Sequence, residues 1–240
     1  MSPLIPRPGH RLLRCPVCRL ELTAAAGALV CRNHHSFDLA REGYVNLLRG
    51  RKRQPASGGD SPEQLRHRAE FLAAGHFDDI VATIPEYFLK SNMKPIFREW
   101  RILDAGSGTG HHLAAESFAP PVLGIGLDIS KEAARQAARR WPMLAFAVAD
   151  LWTEWPVQDG AIDLIISIFA PKNFPEAARV LRPGGWLAVV HPGEKHMTEL
   201  RDRFRLMRRY ELAGERYTEA AKRFVGPPTI HRLRRKMVLV

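Results

Sequence analysis

Arg101-Ile-Leu-Asp-Ala-Gly-Ser-Gly-Thr-Gly110 is the stretch that decides the fold. Ile102 and Leu103 are the apolar end of a buried strand and Asp104 closes it. Gly106, Gly108 and Gly110 then allow a tight turn in which a ligand presses against bare backbone. Working outward, Val122-Leu-Gly-Ile-Gly-Leu-Asp128 is a second apolar strand ending in a carboxylate. In doubly wound folds an acid about 20 residues past the glycine turn holds ribose hydroxyls. Ser130 caps a helix through Ala138, and Ala145 to Ala149 is a third strand ending at Asp150. Ile162 to Pro171 is a fourth strand, Asn173 to Leu181 a helix, Arg182-Pro-Gly-Gly185 a turn and Trp186 to Val190 a fifth strand. Strands alternating with helices in this way predict an α/β fold around a parallel sheet.

A dehydrogenase usually shows G-x-G-x-x-G, whereas here the third glycine comes one residue earlier. Asp104-Ala-Gly-Ser-Gly-Thr-Gly110 instead resembles the first motif of class I S-adenosylmethionine-dependent methyltransferases. The resemblance implies a Rossmann-like sheet with S-adenosylmethionine lying across Asp104, Gly106, Gly108, Thr109 and Gly110. Asp128 would then hold the ribose, and Asp150 would accept from the adenine amino group.

Upstream, Cys15-Pro-Val-Cys18 is followed after 12 residues by Cys31, with His34 and His35 just beyond. C-x2-C, x12, C-x3-H is the spacing of a tetrahedral structural zinc site in which each pair presents two ligands from one turn. His34 rivals His35 as the fourth ligand on spacing alone. A segment this small has little core of its own, so metal binding, on the order of 10 kcal/mol, would hold it folded.

Ser36-Phe-Asp-Leu-Ala-Arg-Glu-Gly-Tyr-Val-Asn-Leu-Leu48, together with the zinc pattern, resembles the bacterial 23S ribosomal RNA (guanine-N1) methyltransferases, which carry a zinc ribbon before a class I catalytic domain. That resemblance covers about residues 12–201. It selects His35 over His34, and it implies cofactor contacts for Phe77, in Gly75-His-Phe77, and for His196, in Pro192-Gly-Glu-Lys-His196. Phe169-Ala-Pro171 falls where other methyltransferases place target-base residues, so an aromatic there would stack a splayed-out guanine. The activity implied is methylation of guanine N1 in a loop of 23S rRNA, with a link to macrolide-type antibiotic resistance. No catalytic base is assigned. Asp38 and Asp60 are carboxylates in family-like stretches, but no spacing sets either beside the ring.

The expected organisation is a zinc-binding module and basic linker over 1–58 and the methyltransferase domain over 59–240. Asp60-Ser-Pro-Glu-Gln64 starts a helix through a capping box, and Asp78 to Lys90 is a second helix bent near Pro85. The last eleven residues leave room for one short strand at Met237 to Val240, so the C-terminal strands are expected to be shortened.

The net charge of +11 is unevenly spread: +7 over residues 1–59, −4 over 60–200 and +8 over 201–240. Basic flanks around an acidic middle suggest a polyanionic partner, here 23S rRNA, with Arg49, Arg51, Lys52 and Arg53 on a linker or RNA-facing loop and the zinc module over the mouth of the catalytic domain. No apolar run approaches the roughly 18 residues of a membrane span, and the N-terminus lacks a signal-peptide core. A cytoplasmic protein without membrane association is expected, with a homodimer as one option for its assembly. Two rival readings stand: a small-molecule methyltransferase, and an RNA-binding protein inactive through its short C-terminus.

Overall fold

The computed structural model describes residues 5–48, 60–80, 82–84, 99–116, 121–204 and 213–233. The basic run from Arg49 to Arg53, most of the second expected helix with Pro85, and the expected strand Met237 to Val240 lie outside the described residues. So does the expected boundary between 58 and 59.

The centre is a six-stranded sheet. Strands β5 (Trp100–Ala105), β6 (Val122–Asp128), β7 (Ala145–Val148), β8 (Ile162–Ile168) and β9 (Leu181–Val190) are all parallel, and with β4 (Val45–Asn46) the order is β4-β7-β6-β5-β8-β9. Strands β5 and β8 run buried nearly end to end, as expected of a parallel sheet covered on both faces. The turn expected at Arg182 to Gly185 is absorbed into β9 as a shift of register. Ile162 pairs with Leu181, but Leu164 pairs with Trp186, because two glycines after a proline let the strand bulge without losing its partner.

One face of the sheet is covered by α2 (His111–Glu116) and α3 (Lys131–Arg140), whose Leu113, Ala134, Ala137 and Ala138 pack with Ile102, Phe146, Leu164 and Ile166. Ser130 caps α3, its hydroxyl accepting from the Ala133 N–H at 3.2 Å. The other face is shared between α4 (Phe174–Val180) and the N-terminal module. A 3-10 turn over Pro8–Leu12 brings Leu12 and Leu13 into one core with Leu103, Ile125, Leu127 and Val157. Gly9 makes this approach possible, since a Cβ there would stand 2.2 Å from the Gly124 carbonyl oxygen.

The module itself is a three-stranded antiparallel sheet of β1 (Thr23–Ala25), β2 (Ala28–Val30) and β3 (Ser36–Asp38), and its chain then supplies β4 at the edge of the main sheet. The Arg7 guanidinium donates to the carbonyls of Glu42, Ala138, Trp141 and Leu144. Arg14 pairs with Asp159 at 2.7 Å and with Glu154. The module therefore packs on a face of the sheet rather than across the mouth at its carboxyl edge, because Leu12, Leu13, Leu29 and Leu39 need an apolar surface and the edge offers polar loops.

Helix α1 (Pro62–Ala73) begins with the expected capping box, the Ser61 hydroxyl accepting from the Gln64 N–H at 3.2 Å and Gln64 Oε1 accepting from the Ser61 N–H at 2.8 Å. Residues 78–80 and 82–84 are helical. Beyond β9 lie α5 (Thr198–Phe204) and α6 (Ala213–Phe224), the latter laid on α4 with Tyr217 against Phe174.

Candidate functional site

The carboxyl ends of β5, β6, β7 and β8 lie side by side, with Leu127 opposite Ala105, Val148 opposite Asp128, and Ile166 opposite Asp104. Of the expected cofactor residues, Asp104, Gly106, Gly108, Thr109, Gly110, Asp128 and Asp150 are carried on or just beyond these ends, at the crevice where open α/β sheets bind ligands.

At the first end, Gly106, Gly108 and Gly110 have φ of 95°, 50° and 77°, the left-handed region that only glycine enters cheaply. A Cβ on Gly106 would stand 2.2 Å from that of Ala170 and one on Gly110 2.8 Å from the Phe146 ring, whereas one on Gly108 would meet nothing within 4 Å, so the loop is packed at its two ends and opens at Gly108. Asp128 is tied to this loop. One carboxylate oxygen accepts from the Gly108 N–H and the other from the Ser130 N–H, both at 2.8 Å, leaving each oxygen further acceptor capacity toward the crevice. Burial pushes its carboxyl above the usual carboxylate range against the pull of those two N–H groups.

Asp104 is buried at 1% exposure beneath the loop, and Thr109 is buried as well, its carbonyl accepting from the Trp141 indole at 3.1 Å. Asp150 spends one oxygen on the Trp152 N–H at 2.9 Å, which shapes the turn after β7. Asp60 is held by Arg68 at 2.8 Å, and both charges act on Asp128. Asp60 therefore stands at the Asp128 end of the crevice. Asp38 lies on β3 in the N-terminal module.

At the other end of the crevice four rings from three separate segments meet. Phe77 packs edge-on to Phe71 at 5.3 Å and tilted on Phe169 at 5.4 Å, and Phe169 lies 5.7 Å from His196. Phe169 has φ 51°, a costly conformation for a bulky residue that persists only where the surroundings impose it. Phe77 and His196, expected on the cofactor, are thus assembled around the residue expected to take the target base. Sequence reasoning missed Lys172, which lies beneath this turn. A lone lysine directly after Phe169-Ala-Pro171, between an apolar strand and a capped helix, was the available signal. The Asp60–Arg68 pair beside Asp128 was also invisible, since nothing local in sequence links α1 to β6.

In the N-terminal module Cys15, Cys18, Cys31 and His35 converge, their ligand atoms all within 4.8 Å of one another. His35 Nδ1 is 3.6 Å from Cys15 Sγ and 3.4 Å from Cys31 Sγ, and Cys18 Sγ is 3.5 Å from Cys31 Sγ. Ligands about 2.3 Å (sulfur) and 2.0 Å (nitrogen) from a tetrahedral zinc are separated by roughly these distances, so the donor set fits that ion. His34 has φ 59°, the left-handed turn that sends the chain on to His35, and it is not in the cluster.

The sheet order, the glycine loop at the end of β5 and the acid at the end of β6 define a class I S-adenosylmethionine-dependent methyltransferase carrying a Cys/His zinc module. A family model described as "RlmA, N-terminal", a zinc ribbon, matches residues 13–54, and one described as "Methyltransferase domain" matches residues 102–185. The chain is 41% identical over 200 residues to the 23S rRNA (guanine(748)-N(1))-methyltransferase of Streptomyces fradiae, covering 82% of this chain and 69% of that one. It is 41% identical over 230 residues, 90% of this chain and 77% of that one, to a protein of Micromonospora griseorubida with the provisional name 23S rRNA (guanine-N(1)-)-methyltransferase. Among solved structures, the methyltransferase in complex with the Haloferax volcanii Trm112 methyltransferase activator shares the fold, with a TM-score of 0.50 and 24% identity over 69% of this chain and 76% of that one. The chain belongs to the family of 23S rRNA (guanine-N1) methyltransferases.

Proposed function

We propose that the protein transfers the methyl group of S-adenosylmethionine to N1 of a guanine in an unpaired loop of 23S rRNA. The observation that carries this reading is the single crevice in which a bare glycine loop with its acid faces an aromatic cluster, in a chain so similar to rRNA guanine-N1 methyltransferases. In this reading Gly106, Gly108 and Gly110 border the cofactor, Asp128 accepts from its ribose hydroxyls, and Asp104, Thr109 and Asp150 shape the ends of the site. The bound cofactor supplies an electrophilic methyl on a sulfonium. Phe169, flanked by Phe77 and His196, stacks the guanine so that N1 approaches that methyl in line as its proton departs. Asp60, paired with Arg68 at the far end of the crevice, is unsuited to take that proton.

The division into 1–58 and 59–240 separates the zinc-binding module and basic linker from the catalytic part, with β4 of the first piece completing the sheet of the second. The chain leaves the described residues at Leu48, where the Leu47 N–H meets the Val148 carbonyl at the carboxyl edge, and re-enters at Asp60 beside Asp128. The four basic residues between these points belong to a segment that starts and ends at the crevice. Such a substrate sets the reaction in the cytoplasm. Among the described residues no helix is long and apolar enough to cross a membrane.

The test is transfer of label from S-adenosylmethionine to naked large-subunit RNA, with mass mapping of the product. Label on one guanine at N1 is expected. Transfer to small molecules without RNA would move the reading to a small-molecule enzyme.

A further inference from the structure

We infer that Lys172 is a positioning residue for the methyl-transfer step, its buried ammonium holding Phe169 at the crevice and tying that ring to the cofactor loop. The inference rests on the proposed reading of Phe169 as the platform for the target base.

The Lys172 ammonium donates to the Ser167 carbonyl at 3.0 Å, the Ser167 hydroxyl at 3.1 Å and the Ala170 carbonyl at 2.7 Å. Three donors meet three acceptors, so the group is saturated where it sits. The two carbonyls lie on either side of Phe169, and bridging them with one ammonium fixes the turn in which Phe169 takes its left-handed φ. The Phe169 N–H is held at the same time by the Val190 carbonyl at 3.1 Å. A strained aromatic residue is thus clamped from both sides, as required if the strain is to persist.

The same ammonium reaches the cofactor side. The Ser167 hydroxyl that accepts from Lys172 donates to the Ala105 carbonyl at 3.3 Å, in the residue preceding Gly106. The Asp104 carboxylate favours the charge on Lys172, and Ala170 sits on Gly106 so closely that a Cβ there would clash with it. Burial nevertheless lowers the Lys172 pKa to about 8, outweighing the attraction of Asp104. A lysine held at that cost and bonded on all sides is a strut between the two halves of the site, since its three protons leave none for substrate.

The experiment compares wild type, Lys172→Met, Phe169→Ala and the double variant. Aromatic NOE cross-peaks from Phe169 to Phe77 and to His196, recorded without RNA, read the ring position directly. They are expected in wild type and lost in K172M at unchanged zinc content, and their persistence in K172M would overturn the inference whether or not the protein methylates RNA. In RNA methylation, K172M is expected to lose about 10- to 100-fold in kcat with S-adenosylmethionine affinity within about twofold, the cost of a misplaced reactant rather than of a lost ligand. The double variant is expected to be no slower than the slower single variant, because the two residues act as one unit. Multiplying losses, or cofactor affinity falling in step with kcat, would show that Lys172 does not act through Phe169. If K172M does not fold, Lys172→Gln, which lacks the charge and the third donor, is read in the same two assays. Loss of label transfer by wild type with the cross-peaks intact would remove the functional reading while leaving the strut in place.

Discussion

Replacing Asp128 by Asn is the sharpest perturbation of the cofactor end of the crevice, because it keeps the shape and removes the charge. The two carboxylate oxygens each accept a backbone N–H at 2.8 Å, from Gly108 and from Ser130. An Asn side chain has one acceptor oxygen, so whichever way it turns, its NH2 faces one of those N–H groups donor to donor. The loop loses one charge-assisted bond outright, and the ribose hydroxyls lose an anionic acceptor. A hydrogen bond to a charged group contributes about 1.5 to 3 kcal/mol. Cofactor affinity should therefore fall about 10- to 150-fold. Calorimetric titration of S-adenosylmethionine and of its demethylated product into wild type and D128N measures this, with a thermal melt of each to show that the apo fold persists. Affinity within about twofold of wild type in a folded D128N would refute the placement of the ribose on this acid.

Elemental analysis of protein purified without chelator should find a single zinc per chain, retained by His34→Ala and lost or sharply reduced by His35→Ala. The affinity of the full chain for large-subunit RNA should fall steeply with salt, and neutralising Arg51, Lys52 and Arg53 together should flatten the slope by about 2 units. An unchanged slope would reduce that segment to a linker. The third expectation concerns acid. Burial, helped by the nearby Arg7 charge, lowers the His10 pKa from 6.5 to about 4, so between those values the unfolded chain binds a proton that the folded one refuses. Stability contributed by neutral His10 is present above pH 6.5 and is lost as pH falls toward 4, by up to roughly 3 kcal/mol. Denaturant unfolding of wild type and His10→Asn at pH 7 and pH 4.5 should show the smaller acid loss in the variant, and equal losses would sink the assignment.

What the sequence made legible was whatever short-range pattern determines. The strand into Gly106, the acid ending β6, the Ser130 cap and the Ser61–Gln64 capping box each depend on residues within a few positions, and each is found where expected. The Cys/His cluster is legible for the same reason, since two knuckles fix their own geometry. The bulge at Arg182 to Gly185 looks like a plain turn in sequence, because only pairing with β8 keeps those residues in the strand. Charge alone sets the N-terminal module over the mouth, and burial sets it elsewhere. Its apolar residues, Leu12, Leu13, Leu29 and Leu39, bury against the sheet face, and removing such side chains from water outweighs a solvated charge rim. Lys172 escaped because its role depends on carbonyls that only the folded turn presents.

That placement changes what the metal does for the reaction. Were the module a separate domain over the mouth, zinc would matter only to RNA contact. Instead Cys15 and Cys31 share a core with Leu103, Ile125 and Leu127, and the chain that leaves the cluster becomes β4, pairing Val45 with Ala147 and Asn46 with Val148. Strand β7 ends where the loop of Asp150 begins, so the register of the sheet edge bordering the crevice is set partly by a strand from the metal module. The Arg7 guanidinium reinforces this by joining the Glu42 carbonyl, three residues before β4, to the last turn of α3 and the residue before β7. Zinc held by Cys15, Cys18, Cys31 and His35 would thus support one wall of the methyl-donor crevice through ordinary strand pairing, since the module and the sheet form a single folded unit.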